Sequence, residues 1–456
     1  MKKDPTPGRP KILFIGLADS SHTHSWINLL NDAEFEVRLF ASPGSGLPPE
    51  NWPVTTYLPS YTSDDVDILK KNKLKLNRLV LAWRKLKNIY LNGLTIHPDS
   101  DSILRIFLVS LIFLSFLPVR ILSKLSGRKE YKNPGQVDSF VGQSLANVIK
   151  TWQPDIIHTL GVFDDQGGEF YFAARKKYHL KNMGVWVAQL RGGSDLTLRR
   201  HDPKTVPIIT EILSESQIIL SDNLVNIEYA EQLGIPRGKF ASIVPVPGTG
   251  GIDVEEMVSA AKSLPSTRRI ILVPKAYESL WSKASPIFEG LRLAWERLQQ
   301  FEIVFLAVNP EARTYYLTLP SYIREKCRIE GRLPRNEVLN LMRNSRVMLA
   351  PSLVDGVPNV MYEAMANGVF PIVSPLDTIL PLVKDGENVL FARNLYPEEI
   401  AAKLVRAVQD DELVDRAASL NLELVRRVAN RKKIKLEVSN FYATLSKPGN
   451  KSSGRL

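Results

Sequence analysis

The chain has 456 residues, 44% hydrophobic and 23% charged, which fits a globular protein of two or three domains and excludes a disordered one. Cys327 is the only cysteine, so no intramolecular disulfide can form and a reducing, cytoplasmic compartment is expected. The net charge of +11 is unevenly placed: Tyr61 to Lys132 carries fourteen Lys/Arg against six Asp/Glu, pointing to an anionic surface as a partner there.

The opening "MKKDPTPGRPKILFIGLADSSH" sets lysines before an apolar run, as a secretion signal does. Asp4 and three prolines interrupt it and no A-x-A site follows, so the run reads as a first β-strand. Further strand-like runs are "EVRLFAS" (36–42), "DIIHTLG" (155–161), "VWVAQL" (185–190) and "QIILSD" (217–222). The second half adds "RIILVPK" (269–275), "FEIVFLAV" (301–308), "RVMLAPS" (346–352), "VFPIVSP" (369–375) and "NVLFA" (388–392). Helical patterns lie between them, which implies parallel sheets covered on both faces. "PVPGTGGID" (245–253), its "GTGG" read as turns, followed by "KSLPSTRR" (262–269), is the linker candidate. Two Rossmann-like domains facing across a cleft follow.

Residues 61–135 break this rhythm. Leu76, Leu79, Val80, Trp83, Leu86 and Tyr90 fall on one helical face, with Lys73, Lys75, Arg78, Arg84, Lys85 and Lys87 elsewhere. The segment 103–124 is almost wholly apolar between Arg105 and Arg120, shorter than the roughly 20 residues that span a bilayer. A basic amphipathic helix beside such a segment suits a domain lying on an anionic membrane surface; the alternative is two helices packed in the N-terminal domain. No RNA- or DNA-binding motif accompanies the basic face, so no nucleic-acid partner is expected.

"PSLVDGVPNVMYEAMANGVFPIVSP" (351–375) follows the apolar run Val347–Ala350. Pro351-Ser352 ends a strand, Pro358 suits the first turn of a helix, and Gly368 fits the position just past its end. Asp355 then lies in the loop at the strand's carboxyl edge and Glu363 on the helix. Carboxylates accept hydrogen bonds from sugar hydroxyls, and a helix N-terminus favours phosphate, so the unit suits a ligand carrying both. An acid that merely favours the helix dipole is the alternative. No G-x-x-x-x-G-K-[ST], H-E-x-x-H or C-x-x-C occurs. Lys275 ends a strand and Lys283 precedes a helix, both placed to offer positive charge to a diphosphate, with a solvated surface role as the alternative.

The stretch from "GRLPRNEVLNLMRNSRVMLAPS" through "VDGVPNVMYEAMANGVFPIVSPLDTILPLVKDGENVLFA" resembles the C-terminal signature of the family 4 (group 1) retaining glycosyltransferases, in which an E-x7-E motif sits in the setting E-G-x-P-x-x-x-x-E-A-M-A-x-G-x-P-V. Fainter echoes are "SSHTHSWINLL", "PDIIHTLG", "RGGSDL" and "VPGTGGID". The resemblance implies an α/β, GT-B fold of two Rossmann-like doubly wound domains. It implies that Glu363 binds the ribose of a nucleotide, that Asp355 takes the place of the first glutamate at the transferred sugar, and that Gly356, Val357, Pro358 and Asn359 line sugar and phosphate. Lys275 and Lys283 resemble the family's basic pair on the diphosphate, and Arg332 and Leu333 fall in the loop near the base. Aspartate at 355 is one methylene shorter than the family's glutamate. Where many members carry a histidine, this chain has Arg191 and Gly192. His22, His24, His158 and Asp195 stand at strand-to-helix turns as acceptor-side candidates, a hydrogen-bonded structural role being the alternative for each histidine.

The expectation is an N-terminal acceptor-side domain over 1–260 with its insert at 61–135, a nucleotide-sugar domain over 261–430, and a helix and tail over 431–456 that returns to the first domain. The activity implied is transfer of a sugar from a nucleoside diphosphate sugar to an acceptor hydroxyl with retention, without a metal or other cofactor. The acceptor is expected to be lipid-linked or a cell-surface glycan, the protein being peripheral on the inner face of the membrane. A GT-B epimerase and a non-catalytic nucleotide-sugar-binding partner protein are the alternatives.

Overall fold

The computed structural model describes residues 8–58, 139–163, 167–192, 194–260, 263–331 and 333–446. Two six-stranded parallel sheets organise them. The first holds β1 (Lys11–Gly16), β2 (Glu36–Ala41), β3 (Thr55–Tyr57), β4 (Ile156–Thr159), β5 (Val185–Leu190) and β6 (Ile218–Ser221), in the order β3-β2-β1-β4-β5-β6. The second holds β7 (Ile270–Val273), β8 (Glu302–Phe305), β9 (Cys327–Ile329), β10 (Ser345–Ala350), β11 (Phe370–Val373) and β12 (Leu390–Phe391), in the order β12-β11-β10-β7-β8-β9. Counted from its own first strand, the second sheet repeats the order of the first. Each order reverses beside its first strand, at β1–β4 and at β7–β10, and ligands of such sheets collect at the carboxyl ends flanking the reversal.

Helices on both faces explain the strands' composition. Ile12, Leu13, Phe14 and Ile15 of β1 are all fully buried, as are Val347, Met348 and Leu349 of β10, so apolar residues run on without alternation. All ten anticipated runs overlap a strand. The unanticipated β3 and β9 have three residues each and close the corresponding outer edge of the two sheets. Three residues are too few to show a period.

The chain crosses between the halves twice. Gly250 and Gly251 both take positive φ, 77° and 80°. A Cβ on Gly251 would stand 2.5 Å from the Ala429 carbonyl oxygen, and one on Gly250 2.5 Å from Leu29, so the "GTGG" turns need glycine on both counts. At the crossing, the Ile252 N–H donates to the Ala429 carbonyl at 2.8 Å and the Arg431 N–H to the Ile252 carbonyl at 3.0 Å. The helix Val254–Ala260, which the sequence reading assigns to the first domain, packs Val254 and Met257 into a core cluster with Leu272, Met348 and Met361 of the second half. The change of half therefore falls near Gly251. Two apolar residues at i and i+3 commit that short helix to the second sheet.

After the return crossing, the helix Arg431–Leu445 covers the first sheet, with Tyr442 fully buried edge-on to Phe14 and Phe35. The expected basic and apolar insert at 61–135 lies outside the described residues, and so does the tail beyond Ser446. Among the described residues, no helix is long and apolar enough to cross a membrane.

Candidate active site

The loops that leave the carboxyl ends of both sheets enclose a cavity of about 360 Å³. Ser20 and His22 after β1, Leu160 after β4, Arg191 and Gly192 after β5, and Asp222 after β6 form the first half's wall. Lys275 after β7, and Asp355, Val357, Pro358, Asn359 and Val360 after β10, form the second half's wall. Both reversal points thus open onto one space.

The loop after β10 is held by its neighbours. Asn394 donates to the Pro351 carbonyl at 3.0 Å, and Ser374 Oγ accepts the Ser352 N–H at 3.0 Å. The Thr378 hydroxyl reaches the carbonyls of Asp355 and Gly356, at 3.1 and 3.0 Å. Pro358 then caps the helix Asn359–Ala366 in an extended conformation, and Gly368 follows its end with φ 72°. Asn359 accepts the Thr249 hydroxyl at 2.8 Å, which ties the helix start to the first crossing. Gly356 meets the other wall: a Cβ there would stand 2.6 Å from an Asp222 carboxylate oxygen and 2.7 Å from Gly192 Cα.

Asp355 forms an ion pair with Lys275. Burial alone would depress the Lys275 pKa, but the Asp355 charge and hydrogen bond outweigh it, so the ammonium is held more firmly than in water. The Gly356 N–H is turned inward, to Asp355 Oδ1 at 2.9 Å. Glu363 stands one turn along the helix and does not border the cavity. Its Oε1 accepts from Arg335 Nη2 at 2.8 Å and Nε at 3.2 Å. Lys283 also stands off the cavity: its backbone is clamped by Asn394 and its ammonium lies 3.6 Å from Glu278. Leu333 is half-buried against the second half's core, and Arg332 lies outside the described residues.

The acceptor-side candidates separate. His22 is open to solvent at the cavity, yet the crowding of the walls, then the charges of Arg191 and Lys275, lower its pKa against the pull of Asp355. His24 bonds the Ala18 carbonyl through Nε2 at 2.7 Å and packs on Trp52. His158 is fully buried beneath the cavity. Its Nδ1 is hydrogen-bonded to the Tyr442 hydroxyl at 2.5 Å, and Trp26 donates to the same hydroxyl at 3.1 Å. Burial and the Arg191 charge push its pKa well below the usual value, which favours the neutral ring. Asp195 is buried too, and collects the backbone N–H groups of Val162, Phe163 and Arg191 at 2.9–3.3 Å. It shapes the loops after β4 and β5.

Sequence reading passed over Arg335 and Asp222 and gave Arg191 no role. The available signal was position: Arg191 and Asp222 are the first polar residues past apolar strands, at the edge where ligands collect. Asp222 accepts Gly192 N–H and Asn223 Nδ2, each at 2.8 Å. Burial raises its pKa to about 6, with those two hydrogen bonds pulling back and Asp355 adding to the rise.

The family described as glycosyl transferases group 1 matches residues 294–420, a span that includes Asp355 and Glu363. No curated protein matches the chain in sequence. Among solved structures, sucrose-phosphate synthase from Thermosynechococcus elongatus superposes with a TM-score of 0.61 at 14% identity, over 96% of this chain and 99% of that one. Anabaena Alr3699/HepE, solved in complex with UDP and glucose, gives 0.54 at 13% identity, over 95% and 100%. A Listeria monocytogenes protein assigned as a UDP-N-acetylglucosamine 2-epimerase gives 0.54 at 13%, over 95% and 97%. These likenesses establish the GT-B fold.

Proposed function

We propose that this protein is a retaining glycosyltransferase that moves a sugar from a nucleoside diphosphate donor to an acceptor hydroxyl. The observation that carries this is the Asp355–Glu363 segment, which lies inside the group 1 match and brings Asp355 beside Lys275 at the reversal point of the second sheet. The diphosphate lies against Lys275 and the N-terminus of the helix Asn359–Ala366, whose first N–H groups have no partner within the helix. Asp355 takes a hydroxyl of the transferred sugar, and Glu363, held by Arg335, takes the ribose. Lys275 neutralises the charge that builds on the leaving phosphate, the task a metal ion has in other transferases, so the reaction runs without one. The acceptor oxygen bonds to the anomeric carbon on the face that the phosphate leaves, and its proton passes to a departing phosphate oxygen. Closure of the two walls on the acceptor excludes water.

The acceptor is a lipid-linked or cell-surface glycan, and the enzyme works on the inner face of a membrane. This part of the reading rests on the charge and apolarity of residues 61–132.

The test is the thermal shift of wild type and Glu363→Ala with UDP, GDP and ADP and their sugar conjugates. A ligand at about a hundred times its dissociation constant stabilises the folded state by roughly 2.7 kcal/mol. One nucleotide class should shift the wild type and leave Glu363→Ala unmoved; equal shifts in both proteins would remove Glu363 from the site. Product analysis with mixed lipid acceptors separates transfer from isomerisation of the sugar, as an epimerase would give, and from mere binding.

A further inference from the structure

One cation in the cavity's first wall has no part in this reading. Arg191 is only 6% exposed, and its guanidinium carbon lies 5.4 Å from the centre of the Trp26 ring. Its Nε and Nη2 are buried and make no hydrogen bond. The two carboxylates whose charge acts on it are already engaged: Asp195 by three backbone N–H groups, and Asp222 by Gly192 and Asn223. Burial lowers the Arg191 pKa to about 10, which leaves it cationic at neutral pH. A buried cation with part of its donor set unused is costly to the folded state unless an anion completes it. The side chain is also held ready. Asp195 fixes its backbone at 2.9 Å, and Trp26, beneath it, is anchored on Tyr442.

The geometry points to Arg191 as the docking residue for an oxyanion, a phosphate or carboxylate group of a substrate lying against the first half's wall across the cavity from Lys275. The planar guanidinium suits that group, since it offers parallel N–H donors where an ammonium offers a point charge. Two substrates of the proposed reaction supply such a group: the donor, through its diphosphate, and an acceptor that is itself acidic. Naming the substrate rests on the nucleotide-sugar reading; the oxyanion site does not.

Calorimetric titration of inorganic pyrophosphate and inorganic phosphate into wild type, Arg191→Met and Arg191→Lys tests this. Wild type should bind, and Arg191→Met should bind about ten- to a hundredfold more weakly, the range expected for a lost charge-assisted hydrogen-bond pair. A parallel loss of UDP, GDP or ADP affinity in Arg191→Met assigns the oxyanion to the donor. If nucleotide affinity is unchanged, while phosphate titrated into nucleotide-saturated protein binds wild type and not Arg191→Met, it belongs to the acceptor. Should Arg191→Met not unfold cooperatively, Arg191→Lys keeps the charge without the fork and should still lose about tenfold. The proposal is overturned if wild type binds neither anion, or if a folded variant binds them within twofold of wild type with and without nucleotide. Arg191-dependent anion binding without any nucleotide binding would keep this site and end the nucleotide-sugar reading. Nucleotide binding that needs Glu363, with anion binding indifferent to Arg191, would do the reverse.

Discussion

Asp222 shows how a side chain with no motif around it acquires an unusual chemistry from its surroundings. Buried at the end of β6, its carboxyl titrates near 6, against 3.8 ordinarily, and it faces Asp355 and Arg191. Between about pH 4 and 6 the folded chain therefore holds a proton that the unfolded chain has released. The stability this group contributes is complete below the unfolded value and is lost as pH rises through 6. The stability of wild type minus that of Asp222→Asn should fall by on the order of 2–3 kcal/mol from pH 4 to pH 7, read from urea midpoints at each pH. Parallel pH profiles for the two proteins would mean that Asp222 titrates normally. The loop-and-helix setting of Asp355 and Glu363 was legible in the sequence, because glycine, proline and helix spacing mark it. Asp222, Arg191 and Arg335 were not, because what distinguishes them is which wall they meet and what they bond.

At the level of elements, the long apolar runs announced their strands and the chain order announced a parallel sheet. β3 and β9 stayed hidden, since three residues at a sheet edge owe their conformation to the neighbour they pair with, β2 and β8 respectively. The helix Val254–Ala260 was placed on the wrong side of the boundary for a related reason: its two buried residues show that it packs, not against what. The helix Arg431–Leu445 sets Tyr442 against the first sheet, where its hydroxyl serves Trp26 and His158 at once. Tyr442→Phe keeps the ring and strands both partners, so it should cost about 1–3 kcal/mol, seen as a lower urea midpoint at an unchanged slope. An unchanged midpoint would show that solvent replaces the hydroxyl and that the ring alone docks the helix.

For the whole molecule, the repeated strand order makes two similar halves, and the paired crossings at Ile252 and Ala429 join them side by side. Arg431 ties the start of the returning helix to the first half, donating to the Ser25 hydroxyl at 3.0 Å, the Ser25 carbonyl at 2.7 Å and the Thr249 carbonyl at 3.0 Å. Arg431→Ala should lose about 1–3 kcal/mol, read as a lower urea midpoint. An unchanged midpoint would mean that solvent replaces these bonds at no cost. The return of the helix Arg431–Leu445 also sets an order in time. On the ribosome, the first sheet emerges before the second, yet the face that carries Phe14 and His158 waits for a cover made only after the whole second half has been translated. The second half can close its core as soon as it appears, so of the two halves the one made earlier is finished later.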